Sequence, residues 1–227
     1  MMDGTSLGFW AFSTQIVLPR LWEGMVITLK LSLISGTIGL FLGFLVALLR
    51  ISRWKILSIP ALCYVTLFRG TPLLLQILFI YFALPPLIHI ALDSFPAGIM
   101  ALSMNAAAYL AEIFRAGILS IHKGQMEGSR ALGLSLRQTM FKVIIPQTYR
   151  RIIPPVVNEF SALTKETSLV SVIALGELLY MTQRLGAKYL RPWEVFIWAA
   201  LGYLIIVMIL SFIAGRLEQK LERRGGV

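Results

Sequence analysis

Charged, amide and hydroxyl side chains interrupt the long apolar runs of this sequence. The set consists of Arg69, Thr71, Asn105, Asn158, Glu159, Lys165 and Glu166. A charged side chain at the centre of a bilayer costs on the order of 2.5 to 3.5 kcal/mol, so each should face protein or water and have a partner. If these side chains share a depth, they could line a polar cavity. The alternative is a set of ion pairs that fixes a helix bundle, for example Arg69 with Glu166.

Glu159 is the strongest candidate for contact with a ligand. Glu159, Leu163 and Glu166 are spaced at i, i+4 and i+7, so they share one helical face, whereas Lys165 points elsewhere. A carboxylate at this depth could receive a cationic group, and the neighbouring Asn158 could serve the cavity or the bundle.

The composition is typical of a polytopic, all-α membrane protein. Of 227 residues, 57% are hydrophobic and 14% are charged, and the mean hydropathy is +0.78. The net charge of +10 comes from residues that flank apolar runs, which indicates membrane topology and not nucleic-acid binding.

Several kinds of chemistry are not expected. Cys63, the single cysteine, permits no internal disulfide and lies in an apolar run, where we expect it to be buried. We expect His89 to be solvated or interfacial and not a metal ligand. The sequence has no GxxxxGK[ST], HExxH or GxSxG motif, so no cofactor is expected on this chain, and energy from ATP must come from a partner.

Five apolar runs predict five transmembrane helices, at about 25–49, 56–84, 97–119, 154–179 and 193–213. Residues 1–24, with Trp10 and Trp22, are expected to be an interfacial lead-in and do not resemble a cleaved signal peptide. In the first span, small residues recur every three or four positions: Ser32, Gly36, Gly39 and Gly43. This face could contact a second subunit, but packing within the same subunit is favoured.

Prolines indicate two irregular points. Arg69-Gly70-Thr71-Pro72 lies in the middle of the second span and predicts a break of that helix. The fourth span opens with Pro154-Pro155, which leads us to expect freed backbone groups near Asn158.

A polar segment, Glu127–Pro146, separates the third and fourth spans. Its first part favours a helix, Gly133 can take a positive φ, and Ser135 with Gln138 forms a capping-box pattern. The pattern predicts a helix, a bend and a second helix at the membrane surface, which suits docking into a groove of another protein.

The distribution of Lys and Arg predicts the orientation. Fourteen of the 21 basic residues lie on one side of the five predicted spans and four on the other, with three inside spans. The positive-inside rule then places the N-terminus outside and the C-terminus, with its charged tail at about 214–227, in the cytoplasm. The Glu127 segment is cytoplasmic in this arrangement.

Glu127-Gly128-Ser129, then Gly133, then Val143, Ile145 and Pro146 resemble the EAA loop of permease subunits of ATP-binding-cassette importers. Two further stretches are similar to the polar amino acid branch (His, Glu, Gln, Arg and opine) of that family. They are Arg69-Gly70-Thr71-Pro72, and Asn158-Glu159-Phe160 followed by Lys165-Glu166-Thr167-Ser168-Leu169. The resemblance runs from about residue 28 to residue 224 and implies one permease domain over residues 1–227, with a coupling loop at about 120–146.

The resemblance implies a multi-pass subunit of the bacterial cell inner membrane with several partners. These are a second permease subunit in a homodimer or heterodimer, a cytoplasmic ATP-binding subunit that binds ATP and Mg, an extracytoplasmic amino-acid-binding protein, the amino acid substrate and the lipid bilayer, with no nucleic acid. The residues expected to couple transport to the ATPase are Glu127, Gly128, Ser129, Arg130 and Gly133.

For an amino acid substrate, a helix N-terminus freed near Thr71 or Asn158 would offer donors to the carboxylate, and Glu159 would pair with a cation. Basic substrates are thus favoured, although a glutamate can also face the common α-ammonium group. The rival hypotheses are an ion-coupled secondary transporter that uses Glu159, and a membrane scaffold without transport.

Overall fold

The computed structural model describes residues 7–223, and all regular secondary structure in this part of the chain is helical. The helices are α1 (Phe9–Ile51), α2 (Lys55–Gly70), α3 (Leu73–Ile88), α4 (Ser94–Leu119), α5 (Lys123–Ala131), α6 (136–166), α7 (Leu178–Tyr189) and α8 (Pro192–Arg223), with a 3₁₀ segment at Thr167–Ile173 after α6. The prediction of an all-α membrane protein is confirmed. Residues 1–6 and 224–227, including the end of the predicted charged tail, lie outside the described residues.

Helices α1 and α4 pack closely along the small-residue face. A Cβ atom added at Gly43 would lie 2.8 Å from Leu110 Cβ and 2.9 Å from the Ala107 carbonyl oxygen. A Cβ at Gly39 would lie 2.9 Å from Ala106 Cβ. The small-residue face therefore serves packing within one subunit, as the sequence favoured, because only glycine allows the two backbones to approach this closely.

The second predicted span is broken where Gly70, Thr71 and Pro72 occur. Helices α2 and α3 meet there at a bend of 107°. The pair is apolar enough to count together as one broken span or as a re-entrant loop. The predicted break is confirmed, and its cause is that Pro72 has no N–H to continue the hydrogen-bond ladder of α2.

The structure does not confirm the predicted number of spans. Among the described residues, three helices are long and apolar enough to cross a membrane alone: α1, α4 and α8. The broken α2–α3 pair raises the number to four at most. The predicted count of five is not confirmed.

The fourth predicted span is not a single helix beginning at the prolines. Helix α6 continues through Pro154 and Pro155, ends at Glu166, and passes through the 3₁₀ segment to Ala174, whose φ is 57°. Ile152 packs into the space beside Gly117 of α4, and Leu163 lies in the main core. Packing on both sides of the prolines holds the helix together, so α6 does not begin at Pro154 and ends only at Glu166.

The N-terminal lead-in also differs from the prediction. Residues 9–24 form the first turns of α1, a single helix of 43 residues, and not a separate interfacial segment. Phe12, Val17 and Leu21 are buried in a second core with α7 and α8. The expectation that Cys63 is buried is wrong, because this side chain is exposed on α2.

Candidate functional site

Polar side chains close the gap between α2 and α3. Gln76 Nε2 donates to the Phe68 carbonyl oxygen at 2.9 Å and to Thr71 Oγ1 at 2.9 Å. Asn105 Nδ2 on α4 donates to Gln76 Oε1 at 3.0 Å. The bond to Phe68 satisfies a carbonyl group that the break leaves without a helical donor, because Pro72 has no N–H. Thr71 and Asn105 both contact Gln76, and these contacts stabilise the broken helix.

Gln76 is a residue that the sequence prediction missed. Its signal was available, since it is an amide within an apolar run four residues after Pro72.

Glu112 of α4 is the centre of a cluster of three arginines. Its carboxylate accepts hydrogen bonds from Arg50 at the end of α1 and from Arg115, whose Nε lies 3.0 Å from Glu112 Oε1. Arg69 Nη1 lies 4.0 Å from Glu112 Oε2, and its guanidinium lies 5.1 Å from the centroid of the Tyr109 ring. The suggested ion pair of Arg69 with Glu166 is wrong, because Arg69 pairs with Glu112.

Two cavities flank the end of α2. One of 450 Å³ is polar and is lined by Arg50, Leu62, Val65, Thr66, Arg69, Gly70, Tyr109 and Glu112. The other, of 480 Å³, lies beside the bend and has mainly apolar walls, with Leu67, Phe79 and Met104 among its residues. The polar cavity is therefore the better place for a charged group.

The acidic pair on α6 is half-buried. Glu159 and Glu166 interact electrostatically with each other, and Glu159 also interacts with Arg69. Lys165 interacts with Glu166, while the side chains of Lys165 and Asn158 are exposed. The structure thus brings Glu159, Glu166 and Arg69 into one electrostatic group, as the shared helical face predicted for the two glutamates.

Only one of the two suggested helix N-termini is present. Helix α3 begins at Leu73, beside Thr71, whereas α6 is continuous through Asn158 and has no terminus there. The suggestion of a freed terminus near Asn158 is therefore wrong.

The surface segment has the predicted form of helix, bend and helix. Helix α5 ends before Gly133, which has φ +83°. Ser135 Oγ then accepts from the Gln138 N–H at 3.2 Å, and the Gln138 side chain accepts from the Ser135 N–H at 2.8 Å, which completes the capping box that begins α6. Only a residue that tolerates a left-handed backbone fits at the bend.

The residues predicted to contact an ATPase differ in exposure. Glu127, Gly128, Arg130 and Gly133 are exposed. Ser129 is buried, and its hydroxyl donates to the Gln125 carbonyl oxygen at 2.6 Å. Leu132 was not predicted, yet 85% of it is exposed at the end of α5.

In the part of the chain that the structure describes, no three His, Cys, Asp or Glu side chains are grouped so that they could hold a metal ion. The site is therefore built from arginines, carboxylates and amides.

The chain combines helices that are long and apolar enough to cross a membrane, a broken helix pair beside a charged cavity, and an exposed surface helix. The chain belongs to the family described as "Binding-protein-dependent transport system inner membrane component", which it matches over residues 37–225. Members of this family are inner-membrane subunits, so the chain is a multi-pass transport permease and not an enzyme. The family implies an ATP-binding subunit and a second permease subunit as partners.

Curated relatives match almost the whole chain. The arginine transport system permease protein ArtQ of Bacillus subtilis (strain 168) is 42% identical over 96% of this chain and 98% of its own length. The L-cystine transport system permease protein TcyB of the same organism is 40% identical, over 94% and 92% respectively. The glutamine transport system permease protein GlnP of Escherichia coli (strain K12) is 40% identical, over 90% and 94%.

Solved structures share the fold. A chain of an amino acid ABC transporter crystallised with histidines superposes with a TM-score of 0.87 at 34% identity, and the match covers 95% of this chain and 99% of that chain. A chain of the MetNI methionine ABC transporter in an inward-facing conformation gives a TM-score of 0.77, covering 92% and 99%. At 20% identity, this second likeness shows the fold alone.

Proposed function

We propose that this chain is a permease subunit of an ATP-driven importer of polar amino acids, with basic amino acids preferred. The observation that carries the proposal is the half-buried carboxylate of Glu159 on α6, which lies within electrostatic range of Arg69. A group of both charge signs suits a zwitterion. Glu159 would receive the cationic group, and Arg69 with the N-terminus of α3 would receive the α-carboxylate.

The preference for basic substrates rests on charge. Glu159 and Glu166 place two carboxylates on one face of α6, so a cationic side chain would relieve the repulsion between them. A relative named for arginine transport supports this preference, while relatives named for cystine and glutamine transport support the broader class of polar amino acids.

Coupling is proposed to occur at α5. The exposed Glu127, Gly128 and Arg130, together with Leu132 and the Gly133 bend, would dock into a groove of the cytoplasmic ATP-binding subunit. ATP and Mg would bind to that partner, and closure of two ATPases would move the α5 helices of a permease homodimer or heterodimer. An extracytoplasmic binding protein would deliver the amino acid. The basic residues support an N-terminus outside and a C-terminus in the cytoplasm.

The ion-coupled secondary transporter is not favoured. The family is that of binding-protein-dependent transport systems, and the helix–bend–helix surface has no role in a self-sufficient carrier. A scaffold without transport leaves the charged cavity unexplained.

The decisive experiment replaces Glu159 by glutamine in the reconstituted complex. Glu159→Gln keeps the shape of the side chain and removes its charge. A charged contact of this kind is worth roughly 1.5 to 3 kcal/mol, so the affinity for arginine should fall about 10- to 150-fold, with a much smaller change for glutamine. ATP hydrolysis stimulated by each of the twenty amino acids measures this difference.

The matched control is Glu23→Gln, which removes an exposed carboxylate from α1. It should leave the substrate profile unchanged. If Glu159→Gln lowered the affinity for arginine and for glutamine equally, the Glu159 carboxylate would contact the α-ammonium group that both substrates share. If the substrate profile did not change, Glu159 would not belong to the site.

A further inference from the structure

We propose that the arginines around Glu112 form a binding site for the phosphate group of an anionic phospholipid of the cytoplasmic leaflet. The site, here called the Arg50 pocket, consists of Arg50, Arg69, Arg115 and Glu112 with the 450 Å³ cavity beside them. It does not include Glu159 but shares Arg69 with the proposed substrate site, and its position in the cytoplasmic leaflet rests on the orientation in the proposed function.

The first argument is charge balance. Three guanidinium groups share the Glu112 carboxylate. Glu159 is the other carboxylate that interacts with this group, and it does so through Arg69. At least one positive charge is therefore left over. Arg50 and Arg115 contact Glu112 directly, so the least closely paired charge is that of Arg69, which lies 4.0 Å from the carboxylate at the wall of the cavity.

The second argument is space. The cavity of 450 Å³ opens beside Arg50 and Arg69. It corresponds to the volume of about fifteen water molecules, which is enough for a phosphate and part of a headgroup. The guanidinium fork matches the geometry of phosphate oxygens, and the Tyr109 ring holds Arg69 at the wall of the cavity.

The third argument is depth. Arg50 is in the last turn of α1, and the chain then passes through Ser52 to Trp54, of which 71% is exposed. Exposed tryptophans mark the headgroup region, and basic pockets between membrane helices on the cytoplasmic side bind anionic headgroups. Leu62 and Thr66 on the wall of the cavity belong to the exposed side of α2, so a lipid has a lateral route to the site.

The test measures lipid retention by the purified complex of permease and ATP-binding subunits. Native mass spectrometry counts the phosphatidylglycerol and phosphatidylcholine molecules that remain bound after equal exposure to both. Wild type should retain phosphatidylglycerol selectively. Arg50→Gln should lower its apparent affinity on the order of tenfold, since one charged contact is lost. Because both lipids are presented in detergent, this readout depends on neither transport nor orientation.

Two further variants make the result specific. Arg53→Gln removes an exposed positive charge from the same loop and should retain the lipid like wild type. Thr66→Glu leaves every arginine in place but adds a carboxylate to the cavity wall, so it should expel the lipid even if Arg50→Gln fails to assemble. If Arg53→Gln lost as much phosphatidylglycerol as Arg50→Gln, the retention would depend on general surface charge. That result would overturn the proposal.

Competition distinguishes the sources of the anion. Inorganic phosphate at millimolar concentration should not displace phosphatidylglycerol, because the acyl chains contribute to lipid binding. Displacement by phosphate would make the pocket a site for a free oxyanion, and displacement by arginine or glutamine would make it part of the substrate path. Either result, or retention that is unaffected by Thr66→Glu, contradicts the lipid site.

Discussion

Replacing Glu112 by glutamine should reveal how strongly the arginine cluster holds the bundle. The carboxylate joins Arg50 of α1 to α4 and accepts from Arg115 at the same time. Glutamine keeps one acceptor oxygen but removes the negative charge, which leaves Arg50 and Arg115 without their ion-pair partner. Arg69, at 4.0 Å from the same carboxylate, loses attraction as well.

The expected loss follows from the exposure of the pair. Removing one partner of a fully buried ion pair costs about 3 to 5 kcal/mol, whereas an exposed pair contributes about 0.2 to 1 kcal/mol. The Glu112 side chain is 23% exposed, so solvent screens part of the interaction. We therefore expect a destabilisation of about 2 to 3 kcal/mol, which lowers the unfolding temperature by roughly 5 to 10 °C for a chain of this length.

Thermal unfolding of the purified complex, followed by tryptophan fluorescence, measures this shift. The control is again Glu23→Gln, whose carboxylate pairs with Arg20 on the surface of α1 and is 52% exposed. It should lower the unfolding temperature by at most about 3 °C, and 1 M salt should abolish that difference, because exposed pairs are screened.

A double-mutant cycle of Arg50→Gln with Glu112→Gln should give a coupling free energy of at least about 1 kcal/mol. A shift in Glu112→Gln no larger than in Glu23→Gln would refute the reasoning. In that case, the cluster would be no more stabilising than a surface ion pair.

Three further outcomes are expected. Cys63→Ser removes the exposed native thiol. In that background, cysteines introduced at Leu132 and Asp93 should react with impermeant reagents from opposite sides of the membrane. Reaction of both cysteines from one side would contradict the proposed orientation. Gly133→Asp should abolish substrate-stimulated ATP hydrolysis while the protein still inserts into the membrane, because the φ of +83° at this position is strained for a residue with a side chain. Normal stimulation of ATP hydrolysis would show that the bend is only a passive connector. Gly43→Val should separate α1 from α4 and lower the yield of folded protein, since even its Cβ would lie 2.8 to 3.1 Å from α4; normal thermal stability would show that this contact can relax.

Local backbone chemistry made part of this structure predictable from the sequence. Pro72 lacks a donor, Gly133 tolerates a positive φ, and Ser135 with Gln138 caps a helix wherever that pattern occurs. Each of these effects acts within about four residues. The break of the second span and the bend of the surface segment were therefore predicted in type and position.

Tertiary packing decided the features that depend on distant neighbours. Arg69 pairs with Glu112 and not with Glu166, because α2 crosses α4 at that point. Helix α6 passes through Pro154 and Pro155, since its neighbours hold it on both sides, and ends instead at Glu166. Residue types and spacing identified the charged and amide groups that need a partner at membrane depth. Which partner each group finds depends on how helices distant in the chain pack together. That packing cannot be read from a single sequence.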